Sequence, residues 1–300
     1  MPVERRAPLV ATGPPRFTVV VPARDEERHL GRTLDSLRRQ DFRGGVEVIV
    51  VDNGSTDRTA QLAAEHGATV LTEPVPGVCS ARQRGTQAAR GELVVSTDAD
   101  TTHPRDWLRR IDAAFRREPR CVAVAGPCEY VGAPRWAAAF TRSLFAVVAV
   151  LAHLTGRVVY VTATNTAFRR SAWTGYDTRL TQGGDELDLV RRLRRRGRVV
   201  FDRGLVVQTS ARRLRGGLLH TAVVVVLVHY LAAYLVNRVS HRPVVGTAPP
   251  GDAVPAPRAG ARLAALAVAV LAALLVVADR GATHAHELTG ALTTVWSSLR

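Results

Sequence analysis

Two aspartates two positions apart, Asp98 and Asp100, close an apolar stretch in VVSTDADTTHP (Val94 to Pro104). Burying an uncompensated carboxylate is costly, so the pair must face solvent, a counter-charge or a cation. Side chains two apart in an extended chain share a face. Both carboxylates therefore enter one site, or straddle the strand end with one reaching a metal and the other a ligand hydroxyl. Hard divalent cations such as Mg²⁺ or Mn²⁺ take carboxylate oxygens together with substrate phosphate oxygens. A second acidic pair, Asp185 and Glu186, stands in TQGGDELDLVRRLRRRG. There an ionised carboxylate within about 3 Å of an acceptor hydroxyl can take its proton during attack. The competing reading is an acidic first turn that complements a helix dipole. Arg212 and Arg213 in LVVQTSARRLRGG suit bidentate phosphate binding, and equally suit anchoring at a membrane surface.

Such residues need a frame, and the chain supplies an alternating one. FTVVVPARDEE begins as an apolar strand; HLGRTLDSLRRQ follows with Leu30, Leu34 and Leu37 on one helical face. VEVIVVDNGSTD is a second strand with a polar end, and RTAQLAAEHG a helix closed by Gly67. ATVLTE, the Gly-bounded helix GVCSARQRGTQAARG, the strand ELVVSTDAD and the helix PRDWLRRIDAAFRR continue the alternation. This pattern predicts an α/β fold with a mostly parallel central sheet covered on both faces. Ligands in such sheets sit beyond the carboxyl ends of the strands. Asp25, Asp52, Asp98 and Asp100 all fall there, so acids scattered in sequence converge in space. Asp25 and Asp52 are also candidates for capping a helix, a role compatible with ligand contact. No GxGxxG follows the first strand, and a chain without lysine cannot form a GxxxxGK[ST] phosphate loop.

The chain has 300 residues and a formal net charge of +15, with arginine at all 41 basic positions. That balance favours nucleic acid, an anionic membrane surface or phosphorylated ligands. No zinc-finger spacing, arginine-rich tail or aromatic-interleaved basic patch is present, so nucleic acid is not an expected partner. Three cysteines, Cys79, Cys121 and Cys128, give neither a CxxC pair nor a disulfide framework, and are expected as buried thiols. GLLHTAVVVVLVHYLAAYLV (Gly217 to Val236) and ARLAALAVAVLAALLVVA (Ala261 to Ala278) approach the ~20 residues needed to cross a bilayer. The first is expected to span the membrane or lie in its interface, the second to span it. A weaker run, Trp136 to Leu154, is interrupted by Arg142 and His153 and is expected as an interfacial or core helix.

VVVPARDEE, VIVVDNGSTD, GVCSARQRG and VVSTDAD resemble, in order and spacing, the motifs of the family 2 glycosyltransferases. The resemblance runs from about Phe17 to Arg213. It implies a GT-A nucleotide-sugar-binding fold over 17–215, preceded by a tail at 1–16. C-terminal hydrophobic helices would follow at 216–237 and 261–279, separated by a Pro/Gly-rich linker at 238–260 and closed by a tail at 280–300. It further implies that Pro22, Ala23 and Glu26 border the base and ribose pocket and that Asp52 contacts the base. Arg82 would lie near the nucleotide, Asp98 would contact ribose or support the metal site, and Asp100 would ligate Mg²⁺ or Mn²⁺. VTATNTAFRRSAW resembles a further motif, which puts Thr164, Asn165 and Arg169 near the sugar or diphosphate. The family pattern Gly-Glu-Asp-x-Asp-Leu is matched with its two acids reversed. Glu186 takes the position of the catalytic base, and Asp185 remains a candidate for the same role. Gln208 stands where the family often has a metal-binding histidine, and Gln83 where it usually has asparagine.

The activity implied is metal-dependent, inverting transfer of one sugar from a nucleotide-sugar donor to a hydroxyl of a lipid or envelope-related acceptor. Absence of the QxxRW motif of processive synthases favours a single transfer per event. The setting implied is the cell membrane, with the catalytic domain on the cytoplasmic side. A polyprenyl-phosphate acceptor is an alternative within this class, and a catalytically inactive membrane scaffold is one outside it.

Overall fold

A computed structural model describes residues 13–178 and 185–212. β1 (Phe17–Ala23) is buried along nearly its whole length, as the central strand of a sheet covered on both faces must be. α1 (Leu30–Arg38) follows and buries Leu30, Leu34 and Leu37, the residues its spacing placed on one face. Next come β2 (Val46–Asp52), α2 (Thr59–Glu65), β3 (Thr69–Thr72), α3 (Val78–Ala88), β4 (Leu93–Ser96) and β5 (Thr101–Thr102). α4 (Trp107–Arg117), β6 (Cys121–Ala125), β7 (Cys128–Val131), α5 (Arg135–Thr155) and β8 (Thr166–Arg169) form the middle of the chain. α6 (Asp185–Arg194), β9 (Arg198–Phe201) and β10 (Val207–Ser210) complete the described part.

Seven strands form the main sheet in the order β3-β2-β1-β4-β8-β6-β9, and β5-β10-β7 form a small second sheet. β3, β2, β1 and β4 run parallel; β8 is antiparallel to both β4 and β6, and β6 and β9 are parallel. The chain builds outward from β1 to β2 and β3, then returns through α3 to lay β4 on the other side of β1. That reversal opens a crevice at the carboxyl ends of β1 and β4, where ligands bind in open α/β sheets. Asp52 is the last residue of β2 and pairs with Ala23, the last of β1.

One core layer packs Leu30, Leu34, Trp107, Leu108, Ile111 and Phe115 on the sheet. The other joins Val20, Ile49, Val51 and Val94 to Ala81, Leu189, Val190 and Leu193. Gly85 lets α3 lie directly on the sheet: a Cβ there would stand 2.4 Å from Val20 Cγ1 and 2.9 Å from Val51 Cγ2. All three cysteines are free and buried. Burial pushes the thiol of Cys121 up to about 11 and that of Cys128 up to about 12, and holds Cys79 well above its ordinary value.

The expectation of C-terminal hydrophobic helices is corrected. Among the described residues, the helix long and apolar enough to cross a membrane is α5, in the middle of the chain, with 21 residues. Arg142 and His153 do not break it, because both stand exposed on its outer side while Ala137, Leu144, Phe145 and Val148 face the core. Val150 and Leu154 are exposed on it, at 53% and 74%. This single long apolar helix is consistent with membrane association. The runs at 217–236 and 261–278, the linker at 238–260 and the tail at 280–300 lie outside the described residues.

Candidate active site

The loop after β4 rests on a buried polar network. The His103 ring lies between Ser36 Oγ, 2.9 Å from Nδ1, and Thr97 Oγ1, 2.8 Å from Nε2. Ser36 Oγ donates to the Thr33 carbonyl at 2.7 Å. The imidazole Nδ1–H therefore donates to Ser36, and Nε2 accepts from Thr97. Burial lowers the His103 pKa to about 3, so the ring is neutral. It packs against Trp107 with centroids 4.0 Å apart and planes tilted by 33°, and Trp107 Nε1–H donates to Asn165 Oδ1 at 2.9 Å. Thr33 Oγ1 donates to the Ala99 carbonyl at 2.7 Å, fixing the loop between the two aspartates.

On this base Arg82 reaches across the crevice from α3. Its Nη2 donates to Asp98 Oδ1 at 2.8 Å, and its Nη1 to Asp185 Oδ2 at the start of α6. Burial alone would lower the Arg82 pKa, but the charges of Asp185, Asp98 and Glu186 hold it well above its ordinary value. Thr164 Oγ1 donates to the other oxygen of Asp98. Glu186 is buried beside Asp185 in the first turn of α6, where the helix dipole favours an ionised carboxylate.

Asp100 has a separate set of partners. Thr209 Oγ1 donates to its Oδ1 at 3.2 Å, and Arg212 Nη2 lies 3.2 Å from its Oδ2. Arg212 also grips both oxygens of Glu26, with Nη1 3.0 Å from Oε2 and Nη2 bonded to Oε1. Burial pulls the Arg212 pKa down, while the Glu26 hydrogen bonds and the charges of Asp100 and Glu26 raise it above the ordinary value.

At the ends of β1 and β2 the carboxylates knit one loop. Asp25 has a left-handed backbone with φ 54°, and its Oδ1 accepts from Thr56 N at 2.7 Å. Ser55 N donates to Asp52 Oδ1 at 3.2 Å. Pro22 and Ala23 end β1 on the same edge, and Asn53 N donates to the Ala23 carbonyl at 2.9 Å.

Thus Arg82 joins Asp98 to Asp185, with Glu186 next in sequence, and Arg212 joins Asp100 to Glu26, while Pro22, Ala23 and Asp52 end β1 and β2 on the same edge of the sheet. Two residues expected near the donor do not join them. Asn165 is 1% exposed, and its Nδ2 donates to the Pro127 and Leu205 carbonyls at 3.0 and 2.6 Å while its Oδ1 accepts from Trp107. Arg169 ends β8 opposite Leu93, at the far end of β4, because β8 runs antiparallel. There it donates to the Cys121 carbonyl at 2.8 Å and to Glu92 at 2.9 Å. Sequence reading missed the packing role of His103, although TTHP lay directly beyond the aspartates.

Among the described residues, no three His, Cys, Asp or Glu side chains are grouped to hold a metal, and Gln208 is exposed on β10. Asp98 and Asp100 are nevertheless hard anionic ligands beside a crevice that carries phosphate-compatible arginines. The donor set fits a cation shared with a diphosphate and does not fit an all-protein cage.

The chain is similar to known proteins over part of its length. Uncharacterized glycosyltransferase Rv0539 of Mycobacterium tuberculosis is 45% identical over 83 residues, 28% of this chain and 36% of that protein. The matched stretch thus spans little more than a third of that curated relative. A crystal structure of S. aureus TarS 1-349 in complex with UDP superimposes with a TM-score of 0.54 at 21% identity, covering 65% of this chain and 60% of that one. The mannosyltransferase PcManGT from Pyrobaculum calidifontis, in complex with GDP-Man and Mn²⁺, gives 0.54 at 23% identity, covering 97% and 82%. These superpositions show the GT-A fold. The family model described as "Glycosyl transferase family 2" matches residues 18–174, more than half of the sequence, and the chain belongs to that family.

Proposed function

We propose that the protein is a metal-dependent, inverting glycosyltransferase that moves one sugar from a nucleotide-sugar donor to a hydroxyl of a lipid or envelope-related acceptor. The observation that supports this reading is the Arg82 bridge, which ties the aspartate loop to the first turn of α6, where Asp185 and Glu186 stand. Asp100, supported by Asp98, would hold Mg²⁺ or Mn²⁺ together with the donor diphosphate. A bound cation supplies charge neutralisation for the leaving nucleoside diphosphate. Pro22, Ala23 and Asp52 border the nucleoside, and Arg212 faces the diphosphate. Asp185 is fixed by Arg82, so Glu186 is the carboxylate that takes the proton from the acceptor hydroxyl as it attacks the anomeric carbon. Attack opposite the leaving group inverts the configuration at that carbon.

A lipid acceptor is supported by α5. Its Phe145 ring stacks on Tyr160 at 6.4 Å, and Tyr160 packs against the small cluster formed by Cys79 and Leu187, the latter the neighbour of Glu186. The core-facing side of α5 thus leads toward the start of α6, while Val150 and Leu154 stay exposed on the same helix. One matched relative is named a 4,4'-diaponeurosporenoate glycosyltransferase of Staphylococcus aureus, 46% identical over 55 residues. Sugar nucleotides are made in the cytoplasm, which supports a catalytic domain facing that side of the membrane. The test is a donor-hydrolysis screen of the detergent-solubilised full chain over UDP-, GDP- and dTDP-sugars with Mg²⁺ or Mn²⁺. Cation-dependent turnover of one donor class supports the enzyme; no turnover of any supports an inactive scaffold.

A further inference from the structure

Arg212 occupies an unusual place for a diphosphate-binding arginine. Its guanidinium stands between Glu26 and Asp100, with Nη2 shared between Glu26 Oε1 and Asp100 Oδ2. Both oxygens of Glu26 are taken by this one arginine, 186 positions away in sequence. Glu26 was expected at the base and ribose; its side chain instead holds Arg212. A divalent cation on Asp100 and the Arg212 guanidinium would need the same carboxylate, and two cations that close repel strongly.

We propose that Arg212 is an exchangeable counter-ion of Asp100, tethered by Glu26. It gives up Asp100 to the cation and turns its freed donor to the anionic diphosphate, while Glu26 keeps the guanidinium at the rim of the crevice. Cation and donor binding are thereby coupled. A cation alone must displace Arg212 with no new partner for it, whereas a cation arriving with a diphosphate provides one. Coupling of this kind is reciprocal, so the nucleotide strengthens cation binding by the factor by which the cation strengthens nucleotide binding. A tether alone, with Arg212 serving only to anchor the segment after β10, would produce no such coupling.

This inference rests on the reading of Asp100 as a cation ligand, and the two are separable. Full-length wild type, R212Q, E26Q and D100N would be titrated with Mn²⁺ alone, followed by the paramagnetic signal of free Mn²⁺. UDP would then be titrated with and without Mn²⁺ by calorimetry, and thermal melts would confirm folding. R212Q is expected to bind Mn²⁺ alone roughly tenfold more tightly than wild type, because a competing charge is gone. In the same variant the gain in UDP affinity conferred by Mn²⁺ shrinks. E26Q shifts in the opposite direction, binding Mn²⁺ alone more weakly, since removing its negative charge leaves Arg212 less neutralised beside Asp100. D100N loses Mn²⁺ binding and the Mn²⁺-dependent gain for UDP. If D100N behaves so while R212Q and E26Q leave Mn²⁺ affinity unchanged, the counter-ion exchange is overturned and the active-site reading stands. If D100N keeps wild-type Mn²⁺ dependence, the cation site itself is misassigned and both fall.

Discussion

Arg82 and Asp185, 103 positions apart, form an ion pair with side chains only 5% and 2% exposed. Arg82 holds Asp98 through its other nitrogen, so one guanidinium ties the loop after β4 to the first turn of α6.

This geometry separates the two neighbouring acids by the kind of damage their loss should cause. Glu186→Gln should reduce transfer by roughly 10²-fold or more with donor affinity nearly unchanged, as removal of a general base does. Asp185→Asn should cost less in transfer but lower stability by about 3 kcal/mol, because a buried arginine loses a charge partner. Steady-state kinetics and thermal melts of both variants check this. A larger kinetic loss at Asp185 with an unchanged melt would move the base to that residue, and two mild kinetic effects would favour a phosphate acceptor.

Asn165 and Arg169 should behave as framework residues. Asn165→Ala removes three buried hydrogen bonds and should lower stability by about 2–4 kcal/mol, without a selective loss of donor affinity in the protein that remains folded. Arg169→Ala should leave donor affinity within about twofold of wild type, a difference of less than ~0.5 kcal/mol. Calorimetric titration of UDP into each variant measures it. A tenfold weakening in Arg169→Ala would show that the residue reaches the donor after all.

His103 predicts a pH dependence of stability. Its pKa is lowered by burial to about 3 in the folded protein, against about 6.5 in an unfolded chain. Between those values the unfolded chain binds the proton and the folded one does not. Stability from this group is therefore complete above pH ~6.5 and is lost as the pH falls, at up to about 1.4 kcal/mol per unit. Denaturant midpoints from pH 7 to pH 4 should fall more steeply for wild type than for His103→Gln. Parallel slopes would show that the ring titrates normally.

Gly85→Ala should destabilise by about 1–3 kcal/mol through overpacking of α3 on the sheet, since the added methyl meets Val20 and Val51. Chemical denaturation measures the change. An unaffected midpoint would mean that α3 can lift from β1 and β2 at little cost.

The parallel half of the sheet was legible in the sequence because each apolar run ended in a polar cluster and was followed by a helical pattern. That local grammar placed Asp52, Asp98 and Asp100 on one edge. It had no means of placing Arg169, because TATNTAFRR reads alike in either direction and only pairing with β4 and β6 makes β8 antiparallel. Side-chain partners were equally hidden: Glu26 with Arg212, and Arg82 with Asp185, meet only after the sheet is assembled. The polar interruptions at Arg142 and His153 misdirected attention from α5, whose outward face accommodates both.

The buried cysteines give the molecule a chemically silent background. Thiols that are shielded, and held protonated at neutral pH by their surroundings, react slowly with maleimides, because the thiolate is the nucleophile. A single cysteine placed at Leu154 or Val150 would therefore carry nearly all of the label without prior removal of the native three. Its reactivity in vesicles against detergent would report whether that stretch of α5 meets lipid.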